Sequence, residues 1–166
     1  PTVLVASSDG LEETAELADL AVRLFDEKEG IRVVVKCHPM RPFHLVSGMT
    51  GVQLPSHVES SEEPIIDLML RSSVMVYSGS TVGVEALALH LPVVHLRTQF
   101  DLNMDPLETV PQARLEATGL EELREKVRWL LEHREEYIAQ HREEWDRLVE
   151  DVYGPVTDDT FRSFVE

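Results

Sequence analysis

The residues best equipped for chemistry lie in four short segments, each at the end of an apolar run: Ser7-Ser8-Asp9, Cys37-His38-Pro39, Ser78-Gly79-Ser80-Thr81 and His95-Leu96-Arg97. The third is the most informative. Across residues 74–96, Glu85 is the only formally charged side chain. An unpaired carboxylate in apolar surroundings is costly, so Glu85 is either paired with a cation from elsewhere or left open at a ligand site. With Ser80 capping a helix, Thr81 and Glu85 share a face of it. A helix start presents free N–H groups to an anion. Ser78, Ser80 and Thr81 add hydroxyl donors, and Gly79 and Gly83 let a ligand approach the backbone. A carboxylate one turn further on can accept both hydroxyls of a diol. Phosphate at the helix start and ribose on Glu85 together spell a nucleotide. The same residues also fit a plain helix cap and a solvent-facing acid. The glycine spacing is not G-x-G-x-x-G, and no lysine follows as in a P-loop.

The second segment adds a histidine. Pro39 holds His38 extended at the end of its strand, from where it can donate to a phosphate, although a purely structural histidine fits as well. Cys37 reads as a buried thiol rather than a nucleophile. Arg41 and Arg97 flank the same edge and could neutralise phosphate or simply be solvated. His95 could face a sugar, and Asp101 and Asp105 beyond it are sugar contacts or ordinary loop residues. Among the seven histidines, His133 and His141 are eight apart and no H-E-x-x-H occurs, which argues against a metal site.

These groups need a frame. Residues 3–5, 31–36, 74–77 and 92–96 are continuous apolar or β-branched runs and read as buried strands. Residues 52–58 are weakly strand-like, and residues 112–115 fit a short last strand. Helices are expected over residues 11–28, opened by a capping box of Asp9 with Glu12, over residues 64–71 with Pro64 in the first turn, and from Ser80 to about residue 91. The stretch after Pro39, holding Pro42 and Gly48, reads as a loop. A second capping box, Thr118 with Glu121, opens a charged helical region that runs to residue 151, and Thr157-Asp158-Asp159 caps a final short helix. Strands alternating with helices predict a doubly wound, Rossmann-like α/β domain: a parallel sheet of five or six strands covered by helices on both faces, followed by C-terminal helices. Such sheets bind ligands at the carboxyl ends of their strands, where the four polar segments fall.

Length and charge narrow the classes. One domain, residues 1–166, is the default at this size. Fifteen Lys+Arg against 31 Asp+Glu give a net charge of −16, the wrong sign for a nucleic-acid backbone or an anionic membrane. No apolar stretch is long enough to form a transmembrane segment. A single cysteine cannot form an internal disulfide and suits a reducing cytosol.

Taken together, these residues resemble the C-terminal, nucleotide-sugar-binding domain of GT-B glycosyltransferases. The nearest branches are the capsule polysaccharide, Kdo-type and sialyl-type transferases, with a His-Pro motif after the second strand and a Ser/Thr-rich helix start followed by Glu-Ala. Here those motifs are His38-Pro39 and Ser78-Gly79-Ser80-Thr81-Val82-Gly83-Val84-Glu85-Ala86, then Leu91-Pro92-Val93-Val94. The family segment E-A-x-x-x-G-x-P-V has Gly where this chain has His90. UDP-GlcNAc 2-epimerases share the fold and similar motifs.

The resemblance implies that Ser80 and Thr81 hold donor phosphates with help from His38, and that Glu85 holds ribose; Ser78 and Gly79 of the same loop are candidates for the phosphate site from their types and position. The base would lie near residues 57–61, and Ser8, Arg41, His95 and Arg97 are candidates, from their places at the strand ends, for sugar or phosphate contacts. It implies a nucleotide-sugar as substrate, with no cofactor and no metal. It also implies a separate N-terminal domain carrying the acceptor site, against which Trp129, Tyr137 and Trp145 could pack if they are not core. Pro1 and the length fit a C-terminal half cut from a longer chain, with catalysis incomplete. The expectation is therefore a donor-binding domain of a glycosyltransferase of surface or capsule polysaccharide synthesis. It would lie in the cytosol, and reach the inner membrane surface only through other parts of a parent protein. An epimerase acting on a UDP-sugar is the alternative on the same fold. A nonenzymatic α/β module that binds a protein partner through its acidic surface is the alternative from another class.

Overall fold

Six short parallel strands build one sheet, and the computed structural model describes them within residues 1–99 and 105–154. The strands are β1 (Thr2–Ala6), β2 (Arg32–Lys36), β3 (Val58–Ser60), β4 (Val74–Tyr77), β5 (Val93–Leu96) and β6 (Leu115–Ala117). Their order is β3-β2-β1-β4-β5-β6 and every pairing is parallel. All four residues of β4 and all four of β5 are buried, so both faces of the sheet are covered, as the unbroken apolar runs require. This is the doubly wound α/β architecture expected from the sequence.

The helices are α1 (Leu11–Leu24), α2 (Phe43–Thr50), α3 (Ile65–Leu70), α4 (Val82–Ala88) and α5 (Leu120–Tyr153). Helix α5 packs against α1, α4 and the β4–β6 side of the sheet. Arg124 of α5 donates to the backbone carbonyls of Arg23 and Leu24, closing the end of α1. At His133 the backbone of α5 leaves the helical region (φ −114°, ψ 19°), and the His133 ring bonds the Trp129 carbonyl at 2.9 Å. Rings at every fourth position form a column along α5: Trp129, His133, Tyr137, His141 and Trp145. Trp145 is fully buried and donates its indole N–H to the Ala113 carbonyl, so core packing accounts for it. Among the described residues, no helix is long and apolar enough to cross a membrane.

Several boundaries differ from the sequence reading, each for a local reason. Helix α1 ends at Leu24 and a separate 3-10 turn covers Glu27–Glu29. The expected loop after Pro39 contains α2, and the strand expected over residues 52–58 is instead β3, an edge strand with only Val58 buried. Residues 111–113 form a 3-10 turn, so β6 begins at Leu115. Neither capping box forms as written. Gly10 is the N-cap of α1 and makes no side-chain cap, while Thr118 bonds Glu122 rather than Glu121. Helix α4 begins at Val82 with Thr81 in the cap position and spans only seven residues, so it is shorter than expected at both ends. The final short helix expected at Thr157-Asp158-Asp159 lies outside the described residues, as does Asp101.

Two positions around α4 show how closely it is fitted. Gly83 faces the Tyr77 ring rather than a ligand: a Cβ there would lie 2.7–2.8 Å from Tyr77 Cζ, Cε2 and Oη. His90, which replaces the glycine of the family pattern, adopts φ 51° and so sustains the tight turn with a strained residue. Its Nε2 lies 2.7 Å from Asp146 Oδ1 on α5. Gly83→Ala is expected to cost about 1–3 kcal/mol by overpacking against a buried ring, read as a lower urea midpoint. In an Asp146→Asn background, His90→Gly is expected to raise stability by roughly 0.5–1 kcal/mol, because left-handed strain is relieved at the expense of unfolded-state entropy. An unchanged or lower midpoint there would show that the turn is unstrained.

Candidate functional site

Strand order dictates where a ligand can enter. From β1, the chain builds outward to β2 and β3 on one side and then returns to place β4, β5 and β6 on the other. Connections leaving β1 and β4 therefore diverge, and a crevice opens at their carboxyl ends. Its walls are the loop after β1 (Ser7-Ser8-Asp9-Gly10) and the loop after β4 (Ser78-Gly79-Ser80-Thr81), which brings the first and third polar segments together. Gly79 takes φ 32°, a left-handed turn that suits glycine and lets the backbone reverse into α4. The Ser80 hydroxyl accepts from Val82 N at 3.5 Å, and the Thr81 hydroxyl is 3.5 Å from Glu85 Oε1, so the expected shared face of Thr81 and Glu85 is present. Because α4 is so short, an anion here would be held by loop hydroxyls and loop N–H groups rather than by a helix dipole.

The sequence reading missed the residue that joins these two walls. Glu13, in the first turn of α1, accepts hydrogen bonds from the hydroxyls of both Ser8 and Ser78 and, at 3.3 Å, from Ser8 N. It is only 8% exposed. Ser78 itself is buried, with its hydroxyl committed to Glu13. Nothing in the sequence marks Glu13, since two acids in a first helical turn are ordinary. Burial, joined by the Glu13 charge, pushes the nearby Glu16 carboxyl above the usual carboxylate range.

On the β2 side, His38 and Arg41 close a tight turn, Arg41 N donating to the His38 carbonyl at 2.8 Å. Met40 N donates to His38 Nδ1 at 3.2 Å, which leaves the proton of the neutral ring on Nε2, free to donate. Beside it lies a cavity of about 470 Å³ lined by Lys36, His38, Phe43, Ser60 and Ser61 among others. The base was expected near residues 57–61, but the structure separates these. Ser60 and Ser61 border the cavity at the carboxyl end of β3, whereas His57 precedes the strand and bonds the Phe25 carbonyl at 2.7 Å. Lys36 is a cation at this cavity that the sequence reading did not single out. Arg41 is exposed, and its guanidinium donates to the Met40 carbonyl at 3.2 Å.

The β5 side is a buried ionic cluster rather than an open cleft. Asp105 accepts from the Tyr77 hydroxyl at 2.8 Å and from Leu107 N at 2.9 Å, and pairs with Arg114 at 2.5 Å. Asp105 is thus a structural anchor, not a sugar contact. His95 is 1% exposed, tilted against the Tyr77 ring, and 3.7 Å from both Asp105 and Glu116. Arg97 is half exposed and paired with Glu116 at 2.7 Å, so its charge is already answered by a carboxylate. Burial, and then Asp105, drive the Tyr77 phenol far above its ordinary value.

Glu85, on α4, is half-buried, and its charge is felt by Tyr153, the last residue of α5. Burial and then the Glu85 carboxylate raise the Tyr153 phenol, a second residue the sequence reading did not connect with this edge. Among the described residues, no three His, Cys, Asp or Glu side chains converge as a metal site would require.

No family model matches the chain, and no curated protein matches it. Solved structures do. UDP-GlcNAc 2-epimerase from Methanocaldococcus jannaschii, in complex with UDP-GlcNAc and UDP, superimposes with a TM-score of 0.60 at 15% identity, over 78% of this chain and 38% of that one. The C-terminal CMP-Kdo binding domain of WaaA from Acinetobacter baumannii gives 0.51 at 15%, over 92% and 87%. The glycosyltransferase SnogD from Streptomyces nogalater gives 0.57 at 18%, over 87% and 39%. The chain thus spans under half the length of the epimerase and of SnogD, and most of the WaaA domain. The likeness is one of fold: this chain has the Rossmann-like fold that GT-B glycosyltransferases and UDP-GlcNAc 2-epimerases share, as its motifs led one to expect.

Cys37 sits between the two halves of this edge. It is 7% exposed, and burial pushes its thiol up, offset only in part by a hydrogen bond with Ser7 and the charge of Lys36. Its alkylation by iodoacetamide at pH 7.5 is expected to be at least about tenfold slower in the native chain than in urea. Equal rates would show a reactive thiol at the crevice.

Proposed function

We propose that this chain is the donor-binding half of a GT-B-type glycosyltransferase and that its ligand is a nucleotide-sugar. The observation that carries the reading is the Ser78–Thr81 loop at the crevice where strand order reverses, with the His38 turn at the carboxyl end of β2 and Glu85 on α4, on a fold whose solved neighbours include a CMP-Kdo binding domain and an epimerase in complex with UDP-GlcNAc. Ser80, Thr81 and the loop N–H groups, with Gly79 allowing close approach, hold phosphate. Ser78 shapes the loop from behind, and His38 donates through Nε2. Glu85 accepts the ribose hydroxyls, and the base occupies the cavity beside Lys36, Ser60 and Ser61. Ser8, Arg41 and Arg97 stand at the rim; His95 is reached only if the β5 cluster opens.

This half contributes to catalysis by positioning the donor and stabilising charge on the leaving phosphate with hydrogen-bond donors already in place. The acceptor site and the base that activates the acceptor belong to an N-terminal domain in a longer protein, and the parent enzyme acts in the cytosol on surface or capsule polysaccharide. An epimerase reading shares the binding site and is supported by the epimerase among the neighbours; product analysis on a full-length parent separates a free epimer from a glycosylated acceptor.

Thermal melting with UDP, CMP, GDP and ADP and their sugar adducts tests the reading. A ligand at 100 times its Kd stabilises the fold by about 2.7 kcal/mol, a shift of a few degrees for a chain of this size. One nucleotide class is expected to give that shift, and Glu85→Ala is expected to weaken it roughly tenfold in Kd by removing two hydrogen bonds to ribose. No shift with any nucleotide at millimolar concentration, in a parent carrying both domains, would overturn the assignment.

A further inference from the structure

Glu13 is out of place in a phosphate site. Its carboxylate lies between the two loops that line the crevice and takes the hydroxyls of Ser8 and Ser78, groups that would otherwise be donors to an anion. Gly10 makes room for it: a Cβ there would come within 3.2 Å of Glu13 Oε2. Among the described residues it makes no ion pair; its partners are the two hydroxyls and one N–H. Arg97, a cation after β5 at the same edge of the sheet, is occupied by Glu116. The charge is also felt by its surroundings, since it helps to raise Glu16. A buried negative charge at the mouth of an anion site repels each further negative charge brought to it, and it does so more strongly in a half-buried crevice than in water.

We propose, resting on the nucleotide-sugar reading, that Glu13 is a specificity-determining residue that selects the sugar-linked nucleotide over the free nucleotide. In a nucleotide-sugar the phosphate nearest the sugar is substituted on two of its oxygens and carries one negative charge. Once the sugar has left, that phosphate is terminal and carries between one and two charges at neutral pH. The extra charge arises on the side of the ligand away from the base. With the base beside Lys36 and the ribose on Glu85, that side faces the Ser8–Glu13–Ser78 bridge. Glu13 therefore weakens product more than donor, which speeds release of the spent nucleotide and limits product inhibition.

The test is calorimetric titration of UDP and UDP-GlcNAc, and in parallel CMP and a CMP-sugar, into wild type, Glu13→Gln and Glu13→Asp. Gln keeps the length and can still bridge the two hydroxyls, but carries no charge. Glu13→Gln is expected to tighten the free nucleotide roughly three- to tenfold, the size of one unscreened charge contact at a few ångströms in a partly wet site. It is expected to tighten the sugar-linked form less, so that the ratio of the two affinities changes. Glu13→Asp keeps the charge and is expected to keep the wild-type ratio. Glu13→Ser, a second uncharged variant, gives the same reading should Gln fail to fold. If both ligands shift by the same factor, or both weaken in Glu13→Gln, the inference is overturned and the donor-binding reading stands. If no nucleotide of the melting panel, free or sugar-linked, binds any form of a parent carrying both domains, the donor-binding reading falls and takes this inference with it.

Discussion

The pairing of β4 with β1 is the constraint on which the rest of this molecule depends. Because β1 is bonded to β2 on one edge and β4 on the other, the loops that leave β1 and β4 must separate, and a space is left that no strand fills. The serines, the short α4 and the first turn of α1 are all answers to that space. Placing polar groups there is unavoidable, since the strand ends expose backbone groups that need partners. The chain meets the need with hydroxyls and one carboxylate instead of a glycine-rich loop and a lysine, so neither common nucleotide motif is found.

Much of this was legible in the chain because burial on both faces leaves a simple signature. The runs Val3-Leu4-Val5, Val33-Val34-Val35 and Val74-Met75-Val76 are central strands with no exposed side, so their sequences carry no polar alternation. The elements that escaped are those at the margin. Strand β3 lies at the edge with Glu59 and Ser60 exposed, and α2 buries only Val46, so neither carries enough apolar residues to announce its period. The candidate site shows the same division. The Ser78–Glu85 segment stands out because a lone acid interrupts an apolar stretch. Glu13 does not stand out, because its importance comes from Ser78, a partner 65 residues away. The first capping box failed for a related reason: Asp9 is exposed, and Glu13, the acid beside Glu12, bonds the serines instead.

The β5 side shows a different use of charge. Asp105 and Arg114 are both buried, and with Tyr77 they fasten the segment after residue 104 to the sheet. Taking such a pair out of water is expensive, and its return depends on the additional bonds from Tyr77, Leu107 and Glu108. What it secures is direction: the Tyr77 ring is held against Gly83, which seats α4, and α4 in turn carries Glu85. A mutation at Arg114, just before β6, can therefore be felt at the opposite end of this chain of contacts without touching any ligand.

The ring column of α5 makes the molecule its own optical instrument. The chain has two tryptophans, and both stand in that column on opposite sides of the break at His133. Trp145 is sealed in the core, while Trp129 is 43% exposed beside the His133 ring. Their emission will differ in colour and in access to quencher, so intrinsic fluorescence reports the two segments of α5 separately. Neither indole borders the crevice between β1 and β4. A blue-edge signal from Trp145 will thus follow the detachment of the last helix from the sheet, while leaving events among the serines optically silent.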